Sequence, residues 1–104
     1  MNEIKVLVKK PGEFPVLMTI ENTLEKLQWI VDGYIETVSL TRDLVAICDE
    51  EGRLKGKEHC CNIAGADFVG TIIIAGIDGE DFGDLPATYH DLRRILPELW
   101  RDIK

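Results

Sequence analysis

Histidine and cysteine are scarce in this sequence, at two and three residues in 104. Cys48 stands alone, and Cys60 and Cys61 are adjacent. An odd count without spaced pairs excludes a disulfide framework and leaves reduced thiols. Positive charge is also short. Twelve Lys and Arg against 19 Asp and Glu give a formal net charge of -7. That balance argues against non-specific binding to nucleic acid or to an anionic membrane, since both need a basic face. A protein partner of unknown identity stays open. Long apolar runs are missing: the longest, Val69 to Ile77, is far too short to span a bilayer. The opening Met1-Asn2-Glu3-Ile4-Lys5 has no apolar signal region, so a cytoplasmic location is expected. There is no phosphate-cradling Gly-rich motif either, because Gly65 and Gly70-Thr71 do not sit between a strand and a helix in the required way.

What is present is an ordinary core. The chain is 45% hydrophobic and 30% charged, which is globular composition at the size of one domain, residues 1–104. Ile4, Val6 and Val8 alternate with Lys5, Leu7 and Lys9, and Phe14 to Ile20 alternates again. Pro11-Gly12 between them suits the centre of a type II turn, so the two runs predict a hairpin. Asn22-Thr23-Leu24-Glu25 predicts a helix start capped by Asn22, with Leu24, Leu27, Ile30 and Val31 on its apolar face and a left-handed stop at Gly33. Tyr34 to Leu40 reads as a strand. Leu44 to Cys48 is continuously apolar and reads as a central strand covered on both faces. Lys55 to Ala66 has no period and reads as the longest loop. Asp67 to Ile77 reads as one strong strand, with Gly70 and Gly76 marking a bulge or a close backbone approach. Leu92, Ile95, Leu96, Leu99, Trp100 and Ile103 form a helical stripe after a Thr88 cap, interrupted by Pro97.

The expected fold is therefore α+β. It has a mixed or antiparallel sheet of about five strands in ββαβββα order. One helix lies across the sheet, and a C-terminal amphipathic helix is kinked at Pro97. A hairpin followed by a helix across a sheet is β-grasp-like.

Candidate chemistry is thin. His59, Cys60 and Cys61 form a candidate functional loop. With Cys48 they lack the C-x₂₋₄-C spacing of a zinc site. As a Cys–His nucleophile, with His59 or His90, they lack an orienting third group. The acidic turn Asp78, Glu80, Asp81, Asp84 has Phe82 at the fifth position and Tyr89 at the twelfth, which defeats an EF-hand. It reads as a solvated turn that tethers Phe82 and Leu85 to the core. Asp49-Glu50-Glu51 reads as a solvated turn too. No catalytic, cofactor-binding or metal-binding residue is assigned. Trp29, off the apolar face of its helix, and the Leu99, Trp100, Ile103 end of the last stripe are candidates for an interaction surface. An open edge strand, the first or the third, suits pairing across a homodimer.

Several segments together resemble a known family. They are Ile4-Lys5-Val6-Leu7-Val8 with Pro11-Gly12; Glu21-Asn22-Thr23-Leu24-Glu25-Lys26-Leu27-Gln28; Gly33-Tyr34-Ile35-Glu36; Cys48-Asp49-Glu50-Glu51-Gly52-Arg53-Leu54-Lys55-Gly56; Gly70-Thr71; and Gly79-Glu80-Asp81-Phe82. The set resembles a domain-of-unknown-function family of small proteins from bacteriophages, prophages and mobile elements of Gram-positive bacteria. Lys57 to Cys61 departs from it. The resemblance implies an accessory role and brings no catalytic residues. The leading expectation is a non-enzymatic protein-interaction module. The alternative is a small-ligand-binding protein with a pocket between residues 55–66 and the acidic turn, and an enzyme comes third.

Overall fold

The computed structural model describes residues 2–101 and 103. The chain opens with the hairpin of β1 (Glu3–Lys9) and β2 (Val16–Glu21). Its turn is as the sequence suggests. Gly12 takes φ 76°, and the Glu13 amide donates to the Lys10 carbonyl at 3.1 Å.

Helix α1 (Leu24–Val31) follows, capped by Thr23, whose side chain accepts from the Lys26 amide. Asn22 does not cap; its side-chain amide donates to the Phe82 carbonyl at 3.1 Å. The left-handed stop falls on Asp32, at φ 58° and ψ 54°, and not on Gly33. Gly33 is small for another reason: a Cβ there would land on the carboxylate of Asp49.

Strands β3 (Ile35–Ser39), β4 (Leu44–Asp49), β5 (His59–Ile63), β6 (Ala66–Val69), β7 (Ile72–Asp78) and β8 (Asp81–Gly83) come next. The chain then forms α2 (Tyr89–Ile95) and a 3-10 helix (Pro97–Trp100). The expected ββαβββα order is not what the chain adopts, and the β-grasp likeness that rested on it does not carry over. Three differences account for this, one of them β8, which lies in the acidic turn read as solvated. The predicted loop contains β5. The apolar run predicted as one strand is broken at Gly70, whose φ of 73° ends β6 and sends β7 into a different sheet. At Pro97 the helix stops and restarts as a 3-10 turn, because proline removes an N–H and crowds the preceding turn. The restart rephases the stripe: Leu92, Leu96 and Leu99 are buried while Ile95 is 49% exposed.

The main sheet runs β2-β1-β7-β4-β3, with β8 also on β7, and all its pairs are antiparallel. A Cβ on Gly76 would collide with the Asp84 carbonyl, so only glycine lets the chain leaving β8 pass over β7. Even-numbered β1 residues and Ile20 pack with Leu27 and Val31 of α1 on one face. On the other face Leu7, Ala46, Ile72 and Ile74 pack with the β5–β6 hairpin and with Leu92, Leu96 and Leu99. Strands β4 and β7 are sandwiched between the two clusters, which is why their sequences are unbroken apolar runs. The acidic turn tethers the core as read: Phe82 packs on the first cluster and Leu85 on the second.

Candidate functional site

His59, Cys60 and Cys61 lie on β5, not in a loop. Adjacent strand residues normally point to opposite faces, yet Cys60 and Cys61 are both fully buried. A bulge explains it. His59 pairs with Val69 and Cys61 with Phe68, so β5 advances two residues while β6 advances one. Cys60 donates to the Lys9 carbonyl at 3.6 Å. Hydrogen bonding between the two neighbouring thiols, and then burial, pushes the Cys61 thiol up. The same bond lowers Cys60 against the opposing effect of burial, and nearby Lys9 lowers it further. Cys48, 8% exposed, is pushed up to about 11 by burial and then by Glu36 and Asp49. Buried or protonated thiols are poor nucleophiles. In the native protein, none of the three free cysteines is expected to react with Ellman's reagent at mildly alkaline pH, and all three should react in guanidinium. Rapid native labelling of Cys60 or Cys61 would contradict their burial.

The side chain of Lys9 is fully buried beside these thiols. Its ammonium donates to the Lys10 carbonyl at 2.9 Å and the Glu13 carbonyl at 2.6 Å, pinning the hairpin turn from inside. Sequence alternation placed Lys9 outside, and no local signal marks it as buried.

Asp49 is buried rather than solvated. Its Oδ2 lies 2.8 Å from the ammonium groups of both Lys55 and Lys57, and Oδ1 accepts from the Glu51 amide at 2.9 Å. Burial alone would raise its pKa. Hydrogen bonds from Lys55, Lys57 and Glu51 more than offset that and hold it at about 2. Lys57 also donates to the Val31 carbonyl at 2.8 Å and the Asp32 carbonyl at 2.9 Å. These are acceptors that the end of α1 leaves unpaired. The cluster ties α1, β4 and the turn after β4 together.

A cleft of about 370 Å³ lies between the β3–β4 edge and the β5–β6 hairpin, lined among others by Glu36, Cys48, Glu50, Arg53 and Asp67. The acidic turn does not line it. Asp67 joins its charges. Asp67 meets His59 Nδ1 at 3.1 Å and Arg53 at 3.7 Å, and its carbonyl accepts from Arg53 at 2.9 Å. Among the described residues, no group of three or more His, Cys, Asp or Glu side chains is placed to hold a metal ion.

The aromatic and C-terminal candidates separate. Trp29 is 74% exposed, with the Lys26 ammonium 4.4 Å from its ring centroid. Leu99 is fully buried in the core. Trp100 and Ile103 are half-buried. Trp100 packs against the core and meets Tyr89 edge-on, with ring centroids 5.3 Å apart. The four do not form one surface.

Sequence reasoning missed the most exposed apolar element. The sheet edges are β2 and β3, not β1. On and just before β2, Phe14 is 58% exposed, Val16 56%, Leu17 46% and Met18 41%. Val16 and Met18 share the α1 face, since they pair with Val8 and Val6, but they lie beyond the part that α1 covers. Leu17 faces the other way, into a groove of about 450 Å³ with Lys5, Leu85, Pro86, Ala87 and Tyr89. The Tyr89 hydroxyl donates to the Pro15 carbonyl at 2.8 Å and fixes α2 to the base of β2. The signal was present as an alternating run with apolar residues at both parities, which no one-sided burial can satisfy.

No curated protein and no solved structure matches the chain. The family model described as a domain of unknown function (DUF3846) matches residues 4–94, and the chain belongs to that family. No helix among the described residues is long and apolar enough to cross a membrane.

Proposed function

We propose that this member of the DUF3846 family is a non-enzymatic protein-interaction module that takes a strand of a partner onto the free edge of β2. One observation carries the reading. From Phe14 to Ile20 the edge has no charged residue and presents four exposed large apolar side chains. Unpaired edges invite another strand, and proteins that avoid this place charges on them or keep them short. The opposite edge, β3, carries Glu36 inside the strand, whereas the one charge of β2, Glu21, stands at its end. A strand added to β2 gains main-chain hydrogen bonds and sends alternate side chains to two apolar surfaces. One is the Phe14, Val16, Met18 face and the other the Leu17 groove. The resemblance to phage and mobile-element proteins supports an accessory role, and three free thiols fit a reducing cytoplasm.

The test is a comparative pull-down from lysate with the wild type and a Val16→Lys/Met18→Lys double variant. Exposed charges should leave folding within about 0.5 kcal/mol of wild type and abolish capture. If the folded double variant captures the same proteins as wild type, the edge is not the binding element.

A further inference from the structure

We infer that the partner strand taken onto β2 carries an arginine opposite Glu21, and that its guanidinium seats in a hollow between Glu21, Glu25 and Trp29. This rests on the strand-addition reading and supplies the chemistry of the partner. The hollow, of about 350 Å³, is lined by Glu21, Thr23, Glu25, Lys26 and Trp29. Glu21 is the last residue of β2, and Glu25 stands in the first turn of α1. The hollow therefore lies where the edge strand runs into the helix, and a strand laid along β2 meets it at one end.

Charge gives the edge a direction. At the Val16 end, the Lys10-Pro11-Gly12-Glu13 turn is neutral in sum. At the other end, Glu21 pairs across the hairpin with Glu3, and like charges directly opposed destabilise a strand pair. Glu25 adds a third carboxylate. Among the described residues, none of the three is in an ion pair. Lys5 lines the Leu17 groove, and the Lys26 ammonium lies 4.4 Å from the Trp29 ring centroid. A cation on the incoming strand answers the excess of negative charge. Trp29 selects which cation. It stays 74% exposed with Lys26 against it, so the ring has surface to spare. A guanidinium is planar, stacks on an aromatic face and grips a carboxylate through two parallel hydrogen bonds; an ammonium is a hydrated point charge.

The register of the partner follows. Glu21, Thr19 and Leu17 alternate along β2 and share one face, paired with Glu3, Lys5 and Leu7. A residue opposite Glu21 therefore stands four positions from the one opposite Leu17, whose side chain enters the groove of about 450 Å³. The residues opposite Ile20, Met18 and Val16 face the α1 side and are apolar. The pairs of the main sheet are antiparallel, and antiparallel pairing is slightly the more stable per residue. From its N-terminal end the partner then reads arginine, apolar, polar, apolar, large apolar, apolar.

The probe is a fluorescein-labelled, acetylated peptide, Gly-Ser-Arg-Val-Thr-Val-Phe-Val-Ser-Gly, titrated with the full chain and followed by anisotropy. The wild type should bind it saturably. The same peptide with Glu in place of Arg should bind roughly 2- to 30-fold more weakly, and the one with Lys should fall between. Trp29→Ala and Glu21→Gln/Glu25→Gln, with circular dichroism matching the wild type, should each weaken the Arg peptide and not the Glu peptide. Glu21→Lys should lower the preference for Arg over Glu. Val16→Lys/Met18→Lys should bind none of the three. Equal wild-type binding of the Arg and Glu peptides, lost in Val16→Lys/Met18→Lys, removes the arginine and keeps the strand-addition reading. A Lys peptide as tight as the Arg peptide overturns the choice of guanidinium. An Arg preference unchanged in both Trp29→Ala and Glu21→Gln/Glu25→Gln puts the cation elsewhere and overturns the inference. No saturable binding of any peptide removes both readings.

Discussion

Replacing Asp49 by Ala is expected to lower the unfolding free energy by about 3–5 kcal/mol, a large share of the ~5–15 kcal/mol that holds a domain together. The substitution leaves the Lys57 ammonium, its side chain only 16% exposed, with the exposed Asp32 carboxylate at 3.9 Å as its remaining counter-ion. It also frees the Glu51 amide and detaches the turn that Lys55 and Lys57 secure. Urea unfolding with linear extrapolation measures the loss directly. The pH dependence gives a second arm. The Asp49 carboxyl titrates near 2 in the fold against an ordinary value of 3.8. Its contribution is therefore complete above about pH 4 and is lost as pH falls through about 2. The wild type should weaken across that interval more steeply than Asp49→Asn. Parallel acid profiles would show that the carboxylate charge does not stabilise the fold.

Leu99→Ala is expected to cost about 2–5 kcal/mol, the range for emptying a packed leucine site. Leu99 is fully buried with Leu92, Leu96, Cys60 and Cys61, where little can collapse into the space. Trp29→Ala should change stability by less than about 0.5 kcal/mol, since most of that ring is in water. Thermal unfolding of the two variants separates them plainly, with a shift of roughly 4–8 °C per kcal/mol for a domain of this size. Equal shifts would mean that the last helical segment does not sit on the sheet.

Where the controlling interaction is local, the sequence was readable. The Pro11-Gly12 turn, the Thr88 cap and the interruption at Pro97 each depend on neighbours within a few residues. The features it hid depend on distant partners. The bulge that buries both Cys60 and Cys61 is a property of pairing with β6. Gly70 breaks an apolar run because the strands on either side belong to different sheets. Gly33 is small because a carboxylate from β4 occupies the space of its side chain. Lys9 and Asp49 look like surface charges until their carbonyl and ammonium partners are in place. The β2 edge was the opposite case: its apolar residues were noticed as a strand, but its place at the rim depends on which strands flank β1.

The pairing of β1 with β7, Leu7 against Ile74, bears on how the chain reaches this state. The N-terminal hairpin forms from adjacent residues, but the strand that covers its inner side lies beyond α1, β3, β4 and the β5–β6 hairpin. Closing so long a loop costs entropy before it returns any contact, and topologies of this kind fold in milliseconds to seconds, not microseconds. During synthesis the β1–β2 ribbon therefore waits, uncovered on both sides, until residues 72–78 have left the ribosome. A companion strand on β2 would shorten the list of sticky surfaces during that wait by one.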